Sequence, residues 1–526
     1  MGTNAFKIFI AMSSYMLIVI GIGLYYAKQA QQSSDNFFLG GRSLGPWVAA
    51  MSAEASDMSG WLLMGLPGVA YWCGAADAAW TAIGLGIGTY LNWLIVAKRL
   101  RQYSTVAGNA ITVPDFFSNR FHEKRKILLG ISAVFILIFF TVYAASCFVT
   151  CGKLFSTLFK FSYHSMMIAG AIFVIFYTAL GGFLAESVSD FMQAIVMILA
   201  LISILVLGVS AAGGFGTVLE NAKDIPGFFS LIQTATPMVD TNGMQQITNG
   251  TPLFGQPAAY GFLTILSTLS WGLGYFGMPQ VLLRFMAIRK VDELPKSRRI
   301  AITWCIISLF TSVFIGILGR SLAPADSALI SVSSAENVFV VLSQKLLPPL
   351  LAGVVMAGIL AATISSSDSY LLIAASAVSK NIYGGILKKE ATDKQIMRVS
   401  HIVLLLITLA GIVIAWDEKS IIFTIVSFAW AGFGATFGPV MLFSLFWERT
   451  THMGAVAGML SGGIMVFVWK LLLRPLGGVF GIYELLPAFL ISCILIVAVS
   501  LAGKGPSDEM IKEFRIAKTY KDQTEN

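Results

Sequence analysis

The chain has 526 residues, of which 56% are hydrophobic and only 12% are charged. Soluble domains carry about twice that share of charge, so the composition excludes a soluble enzyme or nucleic-acid-binding protein and indicates a multi-pass membrane protein. The formal net charge is +8, and its distribution along the chain sets the expected orientation in the bilayer.

Apolar spans follow one another along the chain, most of them close to the roughly twenty residues that a membrane-crossing helix needs. The thirteen spans are 8–27, 44–71, 78–97, 127–152, 163–185, 191–212, 257–283, 300–320, 345–379, 399–416, 420–447, 454–473 and 485–502. We therefore predict an all-α integral membrane protein of about 13 helices. It forms a single domain over 1–502, followed by a charged tail over 503–526.

Lysine and arginine concentrate in three connections, at 98–126, 284–299 and 380–398. With thirteen spans all three fall on one side of the membrane, which the positive-inside rule makes cytoplasmic. The N-terminus is then outside and the C-terminus inside. The segment 213–256, with Lys223 as its one basic residue, is expected outside.

The span 44–71 contains residues that a lipid-facing helix avoids, above all Glu54 and Asp57. A charge at the bilayer centre costs roughly 2.5–3.5 kcal/mol on insertion scales, so such acids usually face an ion or substrate path. Gly60 and Pro67 interrupt the same span, and non-helical backbone at that depth must be buried or line a cavity. We predict a broken helix that offers carbonyls and serine hydroxyls to a cation. The alternative is that Asp57 is a buried acid paired with a base such as Arg42.

A second span is interrupted in the same style at 270–280, with a tryptophan, glycines and Pro279. Two such spans in corresponding halves of a chain favour an inverted-repeat transporter with its site at the midplane. The alternative is that both are glycine-rich packing helices, as we expect for the glycines at 84–88. Trp271 and Tyr275, four residues apart, share one face beside the break.

A serine-rich face lies in the span 345–379. Ala362, Ser365, Ser366 and Ser369 follow the spacing of one side of a helix. Neutral hydroxyl and carbonyl oxygens suit an alkali cation, whereas a divalent ion usually recruits several carboxylates. The alternative is that these serines only join helices together.

The chain resembles the sodium/solute symporter family over nearly its whole length. The segments that carry the resemblance are 40–46, 55–68, 139–143, 177–185, 271–279 and 284–287. The resemblance implies a leucine-transporter-like fold of two inverted five-helix repeats, at about 43–212 and 257–447, with extra helices at both ends.

The resemblance also implies sodium-coupled uptake of L-proline across the bacterial cytoplasmic membrane by alternating access. Sodium is the coupling ion, the functional unit is a monomer, and no organic cofactor, enzymatic activity or nucleic-acid partner is expected. The implied sodium ligands are the carbonyls of Ala55, Met58 and Ala362 and the hydroxyls of Ser365 and Ser366. Asp57 supplies the coupling charge, and Arg42 lies at the inner mouth. The implied solute pocket comprises Ser59, Gly60, Trp61, Tyr143, Trp271, Tyr275 and Pro279.

Three acids depart from the family pattern or extend it. Glu54 stands where a small residue is expected, and Asp368 stands in a serine-rich run. Asp190, together with Asp368 and Ser369, is a candidate for a second cation, or else pairs with a lysine or arginine at the cytoplasmic edge.

Two other functions are weighed against proline transport. A symporter for a sugar, a monocarboxylate or pantothenate would need more amide and charged side chains than the break at 270–280 offers. A transporter-derived sensor would need an attached domain, and the tail after residue 502 is too short for one.

Overall fold

Helices make up nearly the whole chain, because in lipid every backbone polar group must be satisfied within its own segment. The computed structural model describes residues 2–30, 34–388 and 390–520. The long helices are Thr3–Ala30, Ala75–Leu91 with its continuation Asn92–Val96 and Ala97–Val106, Ile127–Phe159, Tyr163–Ala211, Leu294–Leu322, Pro349–Ser376 with Ala377–Leu387, Asp393–Ile414, Ile422–Phe446, His452–Val468 with Trp469–Leu473, and Leu485–Ala502. The short ones are Ser34–Leu39, Gly40–Arg42, Pro46–Asp57, Trp61–Gly65, Leu66–Cys73, Val113–Arg120, Phe215–Glu220, Phe262–Leu269, Ser270–Gly277, Pro279–Ala287, Val291–Glu293, Ser327–Leu329, Val332–Ala335, Val338–Leu346, Arg474–Leu476, Gly478–Gly481 and Asp508–Thr519.

Ten helices within the described ranges are long and apolar enough to cross a membrane. The three predicted spans that are not among them are 44–71, 163–185 and 257–283. Two of these are broken into shorter helices, and the third is joined to 191–212 in the 49-residue helix Tyr163–Ala211. That helix is kinked at Gly182, where φ is 60°, a conformation that glycine adopts without a steric penalty. The count of thirteen stays a prediction.

Both predicted breaks are present. The first broken helix comprises Pro46–Asp57 and Trp61–Cys73, separated at Met58, which has non-helical angles of φ −90° and ψ 78°. The second broken helix comprises Phe262–Gly277 and Pro279–Ala287, separated at the extended residue Met278. Proline at the first position of its second half is favourable, because the missing N–H would have had no helical partner.

The glycines at 84–88 allow the second broken helix to approach closely, as predicted. A Cβ atom on Gly88 would lie 2.2 Å from the carbonyl oxygen of Gly272, and one on Gly84 would lie 2.5 Å from that of Leu269. The helix Pro349–Ser376 lies in the interior and is buried along most of its length. The two breaks and the serine face therefore meet in the centre of the molecule.

The segment 213–256 adds elements that the all-α prediction did not include. Two small antiparallel sheets pair Gln233–Thr234 with Ala258–Ala259 and Ile247–Thr248 with Thr251–Pro252. Backbone hydrogen bonds tie this segment to the end of the first broken helix, from Ala75 N–H to the Phe228 carbonyl and from Ala235 N–H to the Cys73 carbonyl.

Not all of the arginines assigned to surface connections are at the surface. Arg120 and Arg284 are fully buried. Arg284 is surrounded by carboxylate and hydroxyl oxygens. Arg120 Nε donates to the carbonyl of Ser444 at 3.1 Å, and its guanidinium lies over the rings of Tyr103, Phe121 and Phe514. The tail forms one surface helix, Asp508–Thr519, with Phe514 packed against Arg99 and Arg120. Residues 521–526 of the predicted tail and Lys389 of the third basic connection lie outside the described residues.

Candidate ion and solute site

The serine face points at the first break. Ser365 Oγ donates to the carbonyl of Ala55 at 2.8 Å, and Ser366 Oγ donates to the same carbonyl at 3.2 Å. Ser365 Oγ also lies 3.2 Å from the carbonyl of Ala362. All four residues are buried. Four of the five residues predicted to ligate sodium are therefore brought together, and the fifth, Met58, lies at the break itself.

The helix end explains why these carbonyls are available. The last carbonyls of any helix have no partner within it, and Pro46–Asp57 ends two residues after Ala55. The carbonyl of Asp57 accepts instead from Ser59 N–H at 3.2 Å, from Trp61 Nε1 at 3.3 Å and from Tyr143 Oη at 3.4 Å. The break thus exposes backbone oxygens to the protein interior.

The carboxylate of Asp57 is buried and accepts one hydrogen bond, from Tyr275 Oη to Oδ2 at 2.7 Å. Its other oxygen, Oδ1, has no partner among the described residues. Within the described chain no lysine, arginine or histidine pairs with it. The alternative in which Arg42 pairs with Asp57 is therefore wrong. A residue of the second broken helix contacts the candidate coupling acid of the first.

Aromatic side chains surround this contact. Trp271 lies 6.2 Å from Trp61 between ring centroids, and Tyr275 meets Trp430 edge-to-face at 5.0 Å. Trp430 Nε1 donates to the backbone carbonyl of Trp271 at 2.8 Å, which holds the Trp430 ring against the second broken helix. Tyr143 joins the same region through its bond to the Asp57 carbonyl.

Besides Trp430, three further rings in this region were not predicted. Tyr143 stacks on Tyr370 at 4.2 Å, and Trp271 contacts Tyr483 at 5.2 Å and Phe423 at 5.3 Å. Tyr370 and Phe423 lie in ordinary apolar spans, and Tyr483 lies just before one. Aromatic residues are common in both places, so no sequence signal distinguished them.

The remaining predicted pocket residues have defined places. Ser59 is buried at the break, and its hydroxyl has no partner among the described residues. Gly60 lies against Thr150, whose Oγ1 would be 2.4 Å from a Cβ at that position. Pro279 is buried at the start of its helix, and its contact with solute stays a prediction.

A buried ion cluster lies beneath the serine face. Arg284 Nη2 contacts Asp190 Oδ2 at 3.1 Å, pairs with Glu186 Oε1 and lies 3.0 Å from Ser369 Oγ. Arg284 Nε donates to Ser52 Oγ at 3.0 Å, and Ser52 Oγ donates to Asp190 at 2.7 Å. The guanidinium joins the second broken helix to the first and to two further helices.

This cluster bears on the predicted second-cation site. Asp190 already has a cation, which agrees with the alternative that it pairs with an arginine. Asp368 accepts from the N–H of Ser369 at 2.8 Å, and its Oδ2 has no partner within the described chain. Sequence reasoning missed Glu186, which lies between two predicted spans. The kink at Gly182, which sequence does not reveal, turns it inward.

Arg42 lies just before the first broken helix, and its position at the inner mouth stays a prediction. Its guanidinium donates to Asn109 Oδ1 at 3.0 Å, to the carbonyl of Met286 at 2.5 Å, to the carbonyl of Ala110 at 2.7 Å and to Ser104 Oγ at 3.2 Å. Burial lowers the pKa of Arg42 to about 10, so the side chain stays charged at neutral pH. It fastens the start of the first broken helix to the end of the second.

Comparison with known proteins agrees with this arrangement. The family model described as the sodium:solute symporter family matches residues 37–462. The chain belongs to that family. The sodium/proline symporters of Staphylococcus aureus strains USA300 / TCH1516 and JH9 are each 40% identical to it over 504 residues, which cover 95% of this chain and 93% of theirs.

Two solved structures share the fold. A sodium-coupled sialic acid symporter in a substrate-bound outward-open state superimposes with a TM-score of 0.74 at 16% identity, over 95% of this chain and 99% of its own. A nucleobase-cation-symport-1 family transporter in a closed conformation gives 0.52 at 12% identity, over 93% and 100%. The predicted leucine-transporter-like membrane fold is confirmed. The bounds of its repeats stay predictions.

Proposed function

We propose that this protein couples the entry of sodium to the uptake of L-proline across the bacterial cytoplasmic membrane by alternating access. The observation that carries the proposal is the contact of the Ser365 and Ser366 hydroxyls with the Ala55 carbonyl at a helix break. The likeness to sodium/proline symporters at 40% identity supports the choice of solute.

Sodium would be held by the carbonyls of Ala55, Met58 and Ala362 and by the hydroxyls of Ser365 and Ser366. These are uncharged oxygens, which fit a monovalent ion better than a divalent one. They belong to two different helices, so an ion between them would favour the arrangement in which the break and the serine face are close. Ion binding would in this way select one conformation from the two.

Asp57 would link the ion to the solute. Its backbone continues the sodium-binding break, while its carboxylate is hydrogen-bonded to Tyr275 in the aromatic cluster. An ion beside this carboxylate changes the charge that the pocket presents to a zwitterionic amino acid. Linkage then requires that solute strengthen sodium binding by the same factor.

The solute pocket would be formed by Ser59, Gly60 and Trp61 of the first broken helix, Trp271, Tyr275 and Pro279 of the second, and Tyr143. A pyrrolidine ring is a compact apolar body that packs on aromatic faces, and its ammonium group gains cation–π attraction there. These seven residues are aromatic, glycine, proline and serine, a set that favours an imino acid over a sugar with several hydroxyls.

Arg42 and the buried cluster around Arg284 would close the inner side. Both join the first broken helix to the second, at the ends that we assign to the cytoplasm from the basic connections. Opening toward the cytoplasm would require these contacts to separate. In the same orientation the segment 213–256 lies outside and the tail inside. The functional unit would be one chain, organised as repeats at about 43–212 and 257–447.

The driving force can be bounded. One charge moving through about 150 mV supplies roughly 3.5 kcal/mol, and a tenfold sodium gradient adds about 1.4 kcal/mol. Together they support accumulation of a few thousandfold with one sodium per solute.

Uptake of labelled solutes into proteoliposomes tests the proposal. L-proline, glucose and pantothenate are compared under an inward sodium gradient, an inward proton gradient and no gradient. We expect concentrative uptake of L-proline that requires external sodium, with no accumulation of the other two solutes. Proline accumulation indifferent to sodium, or sodium-driven uptake of glucose or pantothenate instead, would refute the assignment.

A further inference from the structure

Beside the coupling acid, five residues form a closed ring of contacts, which we call the Glu54 ring. Trp93 Nε1 donates to Glu54 Oε1 at 3.4 Å. Asn92, the residue before Trp93, donates through Nδ2 to the carbonyl of Tyr275 at 3.0 Å. Tyr275 Oη in turn donates to Asp57 Oδ2 at 2.7 Å. Glu54 and Asp57 close the ring, since residues three apart share one helix face. The ring therefore joins both broken helices to a third helix.

The third helix contributes its two residues from a widened turn. Asn92–Val96 forms one π-helical turn inside the otherwise α-helical stretch 75–106. Such turns are rare and frequently occur at functional sites, because they shift the direction of the side chains that they carry. Here the turn places consecutive residues on two different partners, Glu54 and Tyr275.

Three oxygens of the ring lack a hydrogen-bond donor. They are Glu54 Oε2, Asp57 Oδ1 and Asn92 Oδ1, and each belongs to a residue that is at most 2% exposed. Buried acceptors in native proteins nearly always have a partner, so each unpaired one needs an explanation. The orphaned amide oxygen is independent of the two acids, and all three orphans are acceptors. The missing partner is therefore a positively charged or proton-bearing species.

No basic side chain supplies that partner within the described residues. Neither Glu54 nor Asp57 is in an ion pair there. The titratable groups that face Glu54 are Asp57 on its own helix, Tyr275 on the second broken helix and Cys305 on the helix Leu294–Leu322. All three are acids. Two buried carboxylates one turn apart cannot both stay charged unless a cation neutralises them.

We propose that the Glu54 ring binds a second sodium ion, which is carried with each solute molecule. Three oxygens are too few for a calcium ion, which takes six to eight oxygen ligands, or for the octahedral shell of magnesium. None of these three oxygens belongs to the ligand set of the neighbouring Ser365–Ser366 site or to the cluster around Arg284. This inference rests on the proposed sodium-coupled uptake of proline.

The test measures the accumulation ratio of L-proline at which net flux stops in proteoliposomes. The gradients are a tenfold sodium gradient and a membrane potential equivalent to another tenfold step. One sodium per proline gives a limit of about 100-fold, one sodium with one proton about 1000-fold, and two sodium ions about 10,000-fold. Repeating the measurement with an imposed pH gradient distinguishes the two cations, since only the proton-coupled limit moves with it.

We expect the parent to reach the two-sodium limit of about 10,000-fold and Glu54→Gln to fall to about 100-fold. Glu54→Asp, which keeps a carboxylate, and Asp77→Asn, which removes one outside the ring, should retain the parent's limit. A parent limit of about 100-fold overturns the proposal, as does a limit of about 1000-fold that moves with the pH gradient. A Glu54→Gln variant that matches the parent's limit overturns it too. If Glu54→Gln does not fold, the parent and Glu54→Asp limits decide.

A second readout separates this inference from the proposed function. Equilibrium binding of radioactive sodium to the purified protein at alkaline pH requires no solute. Two ions per chain in the parent and one in Glu54→Gln support the ring even if the transported solute is not proline. One ion in the parent refutes the ring. Absent proline uptake combined with two bound ions refutes only the choice of solute.

Discussion

Ser365 and Ser366 carry the central contact, and their neighbour Ser367 offers a matched control. All three serines are buried on the same helix. The first two reach across to the Ala55 carbonyl, whereas Ser367 Oγ donates to the carbonyl of Thr363 in its own helix. Replacing each by alanine removes one hydroxyl and leaves the remaining packing nearly unchanged. The three variants therefore differ mainly in where the lost hydroxyl pointed.

The expected effect follows from the bonds exchanged. A hydroxyl that contacts a charged group contributes about 1.5–3 kcal/mol, and the hydrogen bond that it gives up to bind the ion is worth about 0.5–1.5 kcal/mol. The difference is about 1.2 kcal/mol, which corresponds to nearly tenfold. Ser365→Ala and Ser366→Ala should each raise the sodium concentration for half-maximal uptake about tenfold. Ser367→Ala should leave it within about twofold.

The assay is initial-rate proline uptake as a function of external sodium, with the amount of folded protein normalised by gel filtration. Lithium in place of sodium serves as a second titration of the same site. An equal shift in all three variants would mean that the serines act through helix stability and not through the ion. The reasoning would also fail if Ser367→Ala alone changed the sodium dependence.

Three further outcomes are expected. Asp57→Cys should abolish concentrative proline uptake while the protein remains in the membrane, and near-normal uptake would remove this carboxylate from the coupling mechanism. Gly88→Ala should lower the free energy of unfolding by about 1–3 kcal/mol, since its Cβ would overlap the second broken helix. The control is Gly86→Ala, which has open space around it and should leave thermal unfolding unchanged. Burial raises the pKa of Glu123, but hydrogen bonds from His452 and two backbone N–H groups outweigh burial and hold it below the ordinary 4.5. This carboxylate therefore adds stability above pH 4.5, and that stability is lost as the pH falls further. Glu123→Gln should reduce the change of melting temperature with pH over that range.

Much of the architecture could be read from local patterns. Charged and helix-breaking residues inside an apolar span are so unfavourable in lipid that the breaks near Met58 and Met278 were predictable. The spacing of Ser365 and Ser366 fixed their shared face, and glycines at 84–88 indicated close packing. These signals depend on neighbours within one helix, and helical geometry is the same in every fold.

The partners of individual side chains were not predictable. Arg284 read as one of several surface cations, yet it is buried beside Glu186 and Asp190, which lie about a hundred residues away in the chain. Tyr275 was a candidate for solute binding, and its bond to Asp57 depends on how two broken helices cross.

The sequence by itself determined that this chain spans a membrane, where its helices break and which face carries hydroxyls, because the cost of polar groups in lipid acts locally along each segment. Only the tertiary structure decided which acid has a cation and which has none. Asp190 meets a guanidinium, whereas Glu54 accepts from the indole N–H of Trp93 and has no cationic partner among the described residues. That difference arises from contacts between segments that no local spacing encodes.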